Sequence, residues 1–225
     1  STSWSPQTSK SPDTPGRFKA SLGPDDLGLC RAAASLFLAR IVLLRRRPEA
    51  VEPRLEPVGL IDAVLALIEA SSGLLALDQP LAAVCRQVDA CGGVFSLAYS
   101  DIASTDGLLT ALMSDRAFGR FDARATWAHV PPAAAVTSRA SGGFVRSAYV
   151  DAVASGGEIL VLLGGIPVRL SGVGATIWEQ CEEPTTVDKM VDAAVAAHGE
   201  HPDAPQLVAR AVDELVAAGA LSEIQ

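Results

Sequence analysis

The sequence is poor in aromatic residues and in positive charge. Aromatic side chains make up 5% of the 225 residues, so alanine and valine must fill most of the core that a 49% hydrophobic content permits. Lysine and arginine number 18 against 26 acidic residues, which gives a formal net charge of −8. A nucleic-acid-binding surface needs cations concentrated on one face. The composition therefore predicts a folded protein without a nucleic-acid partner.

Cysteine is also scarce, and no two cysteines form a C-x-x-C pair. The four are Cys30, Cys85, Cys91 and Cys181. This usage is typical of buried thiols in a reducing compartment, so we expect a cytoplasmic protein. There is no P-loop, and Gly172-Val173-Gly174 lacks the third glycine of a dinucleotide fingerprint. No cofactor is predicted.

The first two thirds of the chain predict a tail and a mainly helical domain. Residues 1–23 are rich in Ser, Thr and Pro without apolar periodicity, which is typical of a flexible tail. Residues 24–130 form the helical domain, whose role the sequence leaves open. Its predicted helices are residues 27–44, 60–77, 80–90 and 105–113, and its predicted strands are 94–99 and 124–130. The Pro- and Gly-rich residues 131–143 are the predicted linker.

The apolar segment 27–44 has two interpretations, a membrane span and a buried amphipathic helix. Arg31 and Arg40 interrupt it, and a charge inside a span costs about 2.5 to 3.5 kcal/mol by insertion scales. The buried helix is the better interpretation, with Arg45-Arg46-Arg47 at its C-terminal end, where cations suit the helix dipole. No membrane partner is expected.

The last third predicts three strands, three helices and a final strand. The strands, residues 149–154, 158–163 and 166–170, are separated by the pairs Gly156-Gly157 and Gly164-Gly165, as in an antiparallel meander. A first helix, with Ile177, Trp178 and Cys181, stops before Pro184.

Two capping boxes predict the starts of the next two helices. They pair Thr185 with Asp188 and Asp203 with Gln206. The last helix carries an apolar stripe in which Val212 and Leu215 are expected to face the core. Gly219 ends it, and residues 221–224 are the final strand.

Residues 158–195 read EILVLLGGIPVRLSGVGATIWEQCEEPTTVDKMVDAAV. From Leu170 to Asp188 the order is strand, Leu-Ser, small residues, Ile-Trp-Glu, Pro and Thr-Val-Asp. This order resembles the PqqD-like family, the recognition elements that bind leader peptides in the biosynthesis of ribosomally made, post-translationally modified peptides. The resemblance covers roughly the last third of the chain. It implies a winged helix-turn-helix for residues 144–225, and an α+β protein overall.

The resemblance also implies a binding site. In that family the leader pairs as an extra strand on the third strand and lies against the third helix. The implied residues are Val168, Arg169 and Leu170 for the strand edge, and Leu207, Val208, Arg210, Ala211 and Glu214 for the helix wall. An exposed strand edge binds an extended peptide through backbone hydrogen bonds. Pro167 has no N–H, so one such bond is expected to be missing. Alternatively, this strand only closes a core.

Two groups of residues have the side chains found in catalytic or metal-binding sites, and we predict neither kind of site. Cys85 or Cys91 could act as a nucleophile with His129 as its base. A cysteine on the apolar face of a helix, however, more often packs in the hydrophobic core. The segment 198–203 carries two histidines and two acids, yet it spans a helix end and a loop instead of one helical face.

The sequence thus predicts an accessory protein more readily than an enzyme. Its C-terminal domain captures the leader of a precursor peptide and presents the peptide to a modifying enzyme, which the N-terminal domain docks or regulates. One alternative is that the N-terminal domain is itself the peptide-modifying enzyme. Another is a winged-helix transcription regulator.

Overall fold

A computed structural model of the chain describes residues 28, 37–49, 52–115, 119–132 and 142–224. Contacts divide the chain after Phe37, and every element below lies in the second unit, Leu38–Gln225. The described residues form an α+β fold with six α-helices and nine strands. The predicted tail, and residues 133–141 of the predicted linker, lie outside the described residues. No helix in the described ranges is long and apolar enough to cross a membrane.

The strands and helices follow one another along the whole of the second unit. The strands are β1 (Ile41–Arg46), β2 (Arg54–Val58), β3 (Val94–Tyr99), β4 (Ala128–Val130), β5 (Phe144–Arg146), β6 (Asp151–Ser155), β7 (Glu158–Leu163), β8 (Ile166–Ser171) and β9 (Leu221–Glu223). The α-helices are α1 (Leu60–Ala70), α2 (Pro80–Ala90), α3 (Asp106–Ser114), α4 (Gly172–Gln180), α5 (Val187–His198) and α6 (Ala204–Ala217). Short 3-10 helices cover Leu74–Ala76 and Ile102–Thr105.

The predicted helix over residues 27–44 is wrong in the part that the structure describes. Ile41–Arg46 is strand β1, which pairs in parallel with β3, and β2 pairs with the other side of β3. Arg45 and Arg46 therefore belong to a strand and do not end a helix. The β-branched pair Ile41-Val42 suits a strand, and a partner about fifty residues away supplies the hydrogen bonds. Arg40 precedes the strand and donates to main-chain carbonyls, including that of Cys91 at 3.3 Å.

Most other elements before residue 130 lie close to their predicted positions, but β2 was not predicted and the predicted strand 124–130 is confined to Ala128–Val130. Helix α2 and strand β3 have the predicted bounds. The predicted helix 60–77 stops at Ala70 and resumes as the 3-10 helix Leu74–Ala76. Gly73 separates the two with φ at 80°, a left-handed conformation that glycine adopts at little cost.

The predicted meander is confirmed, and a fourth strand joins it. The second sheet is antiparallel, with the order β4-β6-β7-β8, and β4 pairs with β6. Alternate side chains of β7 pack into two hydrophobic cores, one on each face of the sheet. Ile159 and Val161 pack with the helices α4 to α6, while Leu160 and Leu162 pack with α1 and α2. Helices therefore cover both faces of this sheet. These contacts cross the predicted domain boundary, and the division into domains stays a prediction.

Neither predicted capping box forms among the described residues. The Thr185 hydroxyl instead donates to the carbonyl oxygens of Gln180 and Glu183, both at 2.8 Å. Its backbone pairs with Phe144, the first residue of β5, and β5 pairs with β9. Thr185 is thus held by a strand contact that sequence spacing does not reveal, and α5 begins two residues later, at Val187.

The large side chains of the predicted first helix of the last third are buried. Ile177, Trp178 and Cys181 are fully enclosed, and Trp178 has the ring of Tyr149 at a centroid distance of 5.4 Å. The Arg146 guanidinium lies 4.0 Å from the centre of the Trp178 ring. Such a cation over an indole face is attracted by the ring quadrupole, so Arg146 helps to close this end of the core.

A buried carboxylate ties helix α2 to the second sheet. Asp151 is the first residue of β6 and is completely buried. Its Oδ2 accepts from the backbone N–H groups of Leu81 at 2.8 Å and Ala82 at 3.0 Å, in the first turn of α2. Its Oδ1 accepts from the Ala152 N–H and lies 2.7 Å from His129 Nε2. Asp151 therefore supplies, from another element, the anionic cap that suits a helix N-terminus.

Candidate functional site

Strand β8 is an edge of its sheet. Among the described strands it pairs with β7 alone. The two are joined by Gly164 and Gly165, whose φ angles of 54° and 98° suit a two-residue type I′ hairpin turn. Leu163 and Ile166 flank this turn and face each other. In such a hairpin the flanking pair exchanges both of its hydrogen bonds, and the pattern alternates from there.

This alternation determines which backbone groups of β8 face outward. Ile166, Val168 and Leu170 direct their N–H and C=O groups to β7, because they occupy the hydrogen-bonded positions of the register. The residues between them, Pro167 and Arg169, direct theirs away from the sheet. Pro167 therefore costs the β7–β8 ladder no hydrogen bond, which explains why a proline is accommodated here. The outward row keeps the N–H of Arg169 and the carbonyl oxygens of Pro167 and Arg169.

The side chains of the predicted strand edge divide between the two faces. Val168 and Leu170 pack with the core that includes α4, α5 and α6. The Arg169 side chain lies on the opposite face, where Nη1 is 2.7 Å from Asp62 Oδ1 on α1. Its Nη2 is also 2.7 Å from Glu158 Oε2. These hydrogen bonds, first that of Glu158, raise the pKa of Arg169, so the guanidinium stays charged.

The predicted helix wall contains both core and surface residues. Val208, Val212 and Leu215 are buried, which confirms the inward orientation predicted for Val212 and Leu215. Leu207 and Ala211 are half-buried. Arg210 and Glu214 are exposed and form a weak ion pair, with 3.8 Å between Nε and Oε1. Surface pairs of this kind contribute little to stability, so both side chains are available for other partners.

A cavity of about 200 Å³ lies between α4, α5 and α6. Most of its lining is apolar, and it comprises Val173, Ala194, Val195, His198, Gly199, Glu200, His201, Ala204, Leu207 and Val208. Leu207 and Val208 are predicted site residues, and the sequence does not predict the rest of the lining. The sequence signal was weak, since these residues come from three helices and are mostly small.

The two histidines near residue 200 each have a hydrogen-bond partner within the protein. His198 Nε2 is 2.9 Å from the Thr176 hydroxyl, and His201 Nδ1 accepts from the Asp203 backbone N–H at 3.1 Å. Within the residues that the structure describes, no group of three or more His, Cys, Asp or Glu side chains could hold a metal ion.

The arrangement around Cys85 does not favour nucleophilic chemistry. Cys85 is completely buried, and burial, helped by the charges of Asp89 and Asp151, raises the pKa of its thiol to about 12. His129 lies against Asp151, at 2.7 Å. Because the thiolate is the reactive form, this cysteine remains an unreactive thiol near neutral pH.

We expect Cys85 and Cys181 to resist alkylation in the folded protein. Burial also raises the pKa of Cys181, to about 11. Iodoacetamide at mildly alkaline pH should modify both at least roughly a hundredfold more slowly in the folded chain than in urea, as followed by peptide mass spectrometry. Equal rates in the two conditions would contradict this assignment of protonated, enclosed thiols.

The elements from β6 to α6 define an α+β domain whose antiparallel sheet has an open edge at β8. Residues 146–221 match the family described as Coenzyme PQQ synthesis protein D (PqqD). The C-terminal third of the chain is therefore a PqqD-like domain, and the resemblance found in the sequence is confirmed. Comparisons with curated proteins and with solved structures gave no match.

Proposed function

We propose that this chain is an accessory binding protein that captures the leader of a ribosomally synthesised precursor peptide and presents the peptide to a modifying enzyme. The observation that carries the proposal is the open edge of β8 inside the PqqD-like domain. We further propose that β6 to β8 and α4 to α6 form a winged helix-turn-helix, with the leader between β8 and α6.

In this proposal the leader adds a fifth strand to the four-stranded sheet. Backbone groups of Pro167 and Arg169 supply hydrogen bonds, and alternate leader side chains supply specificity. Side chains on one face meet Val168, Leu170 and the wall of α6, while those on the other face meet Arg169. The proposed peptide-binding residues are Val168, Arg169, Leu170, Leu207, Val208, Arg210, Ala211 and Glu214.

We propose a docking or regulatory role for the segment before residue 131. Two contacts support a connection between this segment and the leader site. Asp62 on α1 forms an ion pair with Arg169 on the edge strand, and Asp151 holds the start of α2.

The buried, protonated Cys85 thiol gives no support to the alternative in which this segment is the enzyme. A DNA-binding regulator is disfavoured by the acidic composition. Cys85, Cys91 and Cys181 are free and buried, which fits the proposed cytoplasmic location.

Selection from a peptide library tests the proposal. Random peptides about ten residues long, the upper end of ordinary strand lengths, are displayed and selected against the full chain. Synthetic copies of the enriched peptides should bind by calorimetry, with little dependence on salt, because backbone bonds and apolar contacts dominate. If scrambled copies bind equally well, specific peptide recognition is ruled out.

Pro167→Val is expected to tighten peptide binding. The change restores an N–H at an outward-facing position. This N–H is not needed as a donor to β7, so it is free to pair with the peptide. One added hydrogen bond contributes about 0.5 to 1.5 kcal/mol, which corresponds to roughly two- to tenfold in affinity. The matched control is Pro57→Val in β2 of the other sheet, for which no change in affinity is expected. Unaltered affinity in Pro167→Val would argue against backbone pairing at this position.

A further inference from the structure

We propose that the cavity between α4, α5 and α6 is an anchor subsite that receives one apolar side chain of the bound peptide. This inference rests on the proposed function and adds a specificity determinant to it. The occupant is a single aliphatic or aromatic side chain, and the cavity is not a separate small-molecule site.

The cavity lies close to the end of the edge strand. Val173 lines it and follows Ser171, the last residue of the edge strand, by only two residues. Two residues span at most about 7 Å. On the other side, the lining includes Leu207 and Val208 from the beginning of α6. A peptide paired along β8 therefore reaches the cavity at the end of the strand.

The size of the cavity fits one side chain. Its volume is about 200 Å³. Small-molecule sites usually measure about 300 to 1,000 Å³, so a cofactor or drug-sized ligand has too little room here. Burial of one leucine or phenylalanine side chain strengthens binding by roughly tenfold to a hundredfold relative to leaving it in water.

The chemistry of the lining selects an apolar occupant. Val173, Ala194, Val195, Ala204, Leu207 and Val208 offer only hydrocarbon to it. One ring nitrogen of each histidine is engaged elsewhere, that of His198 with the Thr176 hydroxyl and that of His201 with the Asp203 backbone N–H. A charged side chain would lose its hydration against this largely hydrocarbon surface, and an acidic one would also meet Glu200. An apolar residue is therefore expected at the anchor position.

A size-swap experiment tests the subsite. Enriched library peptides are synthesised with Ala, Leu, Phe or Trp at the position where selection requires an apolar residue, and each is titrated into the full chain. The parent should prefer Leu or Phe over Ala by at least about tenfold. Leu207→Ala enlarges the cavity and should move the preference towards Trp. Ala204→Leu fills it and should move the preference towards Ala.

Val216→Ala is the matched control, because Val216 lies on the same helix, is 39% exposed and is not part of the lining. Its order of preference should equal that of the parent. If the parent enriches no peptide over scrambled sequences, the proposed function itself fails. If peptides bind but Leu207→Ala and Ala204→Leu keep the parent order, the proposed function stands and the anchor subsite is wrong. Opposite shifts in the two variants cannot come from a general loss of stability.

Discussion

Arg169→Pro is expected to weaken peptide binding by roughly tenfold to a hundredfold while the chain still folds. The N–H of Arg169 faces away from the sheet, so its removal costs the β7–β8 ladder nothing, as the neighbouring Pro167 already illustrates. A peptide on this edge would lose the donor and leave its own carbonyl unpaired, at a cost of about 1 to 3 kcal/mol. Titration of a library-selected peptide into both proteins measures the loss.

Arg169→Thr is the control for the guanidinium. Threonine keeps the outward N–H and suits a strand, but it removes the ion pairs with Asp62 and Glu158. Arg169 is 39% exposed, and pairs that are open to solvent contribute little, so both variants should melt near the parent temperature. Equal weakening in the two variants would assign the effect to the side chain and would refute backbone pairing at this edge.

Local signals explain why the last third was predictable. Gly164 and Gly165 occupy left-handed conformations that a tight hairpin requires, so their position in the sequence defined both strands and their register. The apolar spacing of Val208, Val212 and Leu215 likewise identified the inner face of α6, since helical periodicity is a property of neighbouring residues.

The secondary structure predicted from the sequence is wrong where pairing between residues far apart in the chain decides the structure. Residues 41–46 look equally apolar in a helix and in a strand, and only their pairing with β3 selects the strand. The capping box at Thr185 failed for the same reason, because its backbone pairs with Phe144. Conformational propensity is a weak prior, and such tertiary contacts override it.

The candidate site was foreseen in part. The sequence indicated the edge strand and the α6 residues through a family resemblance. Strand alternation alone separates Arg169 from Val168 and Leu170, but the sequence did not reveal the ion pair of Arg169 with Asp62, a residue more than a hundred positions away. The cavity was also missed, because its walls come from three helices that meet only after folding.

Asp151→Ala is expected to lower the free energy of unfolding by about 3 to 5 kcal/mol. The buried carboxylate is the partner of His129 and of two N–H groups in the first turn of α2. Removing one partner of a buried charged network leaves the others unsatisfied, which is why such deletions are costly. Alanine also removes the two hydrogen bonds that tie β6 to the start of α2, although Val153 still packs against α2. Urea unfolding followed by circular dichroism measures the loss as a shift of the midpoint.

Asp151→Asn separates the effect of the negative charge of Asp151 from the effect of its side-chain shape. Asparagine keeps one acceptor oxygen, but its NH₂ group must face either the N–H groups of α2 or that of Ala152. The loss should therefore fall between zero and that of the alanine variant. Gln87 offers a surface control on α2, and Gln87→Ala should remain within about 0.5 kcal/mol of the parent. A loss below about 1 kcal/mol in Asp151→Ala would mean that the carboxylate does not hold α2 on the sheet. The link proposed between the first segment and the leader site would then rest on Arg169 and Asp62 alone.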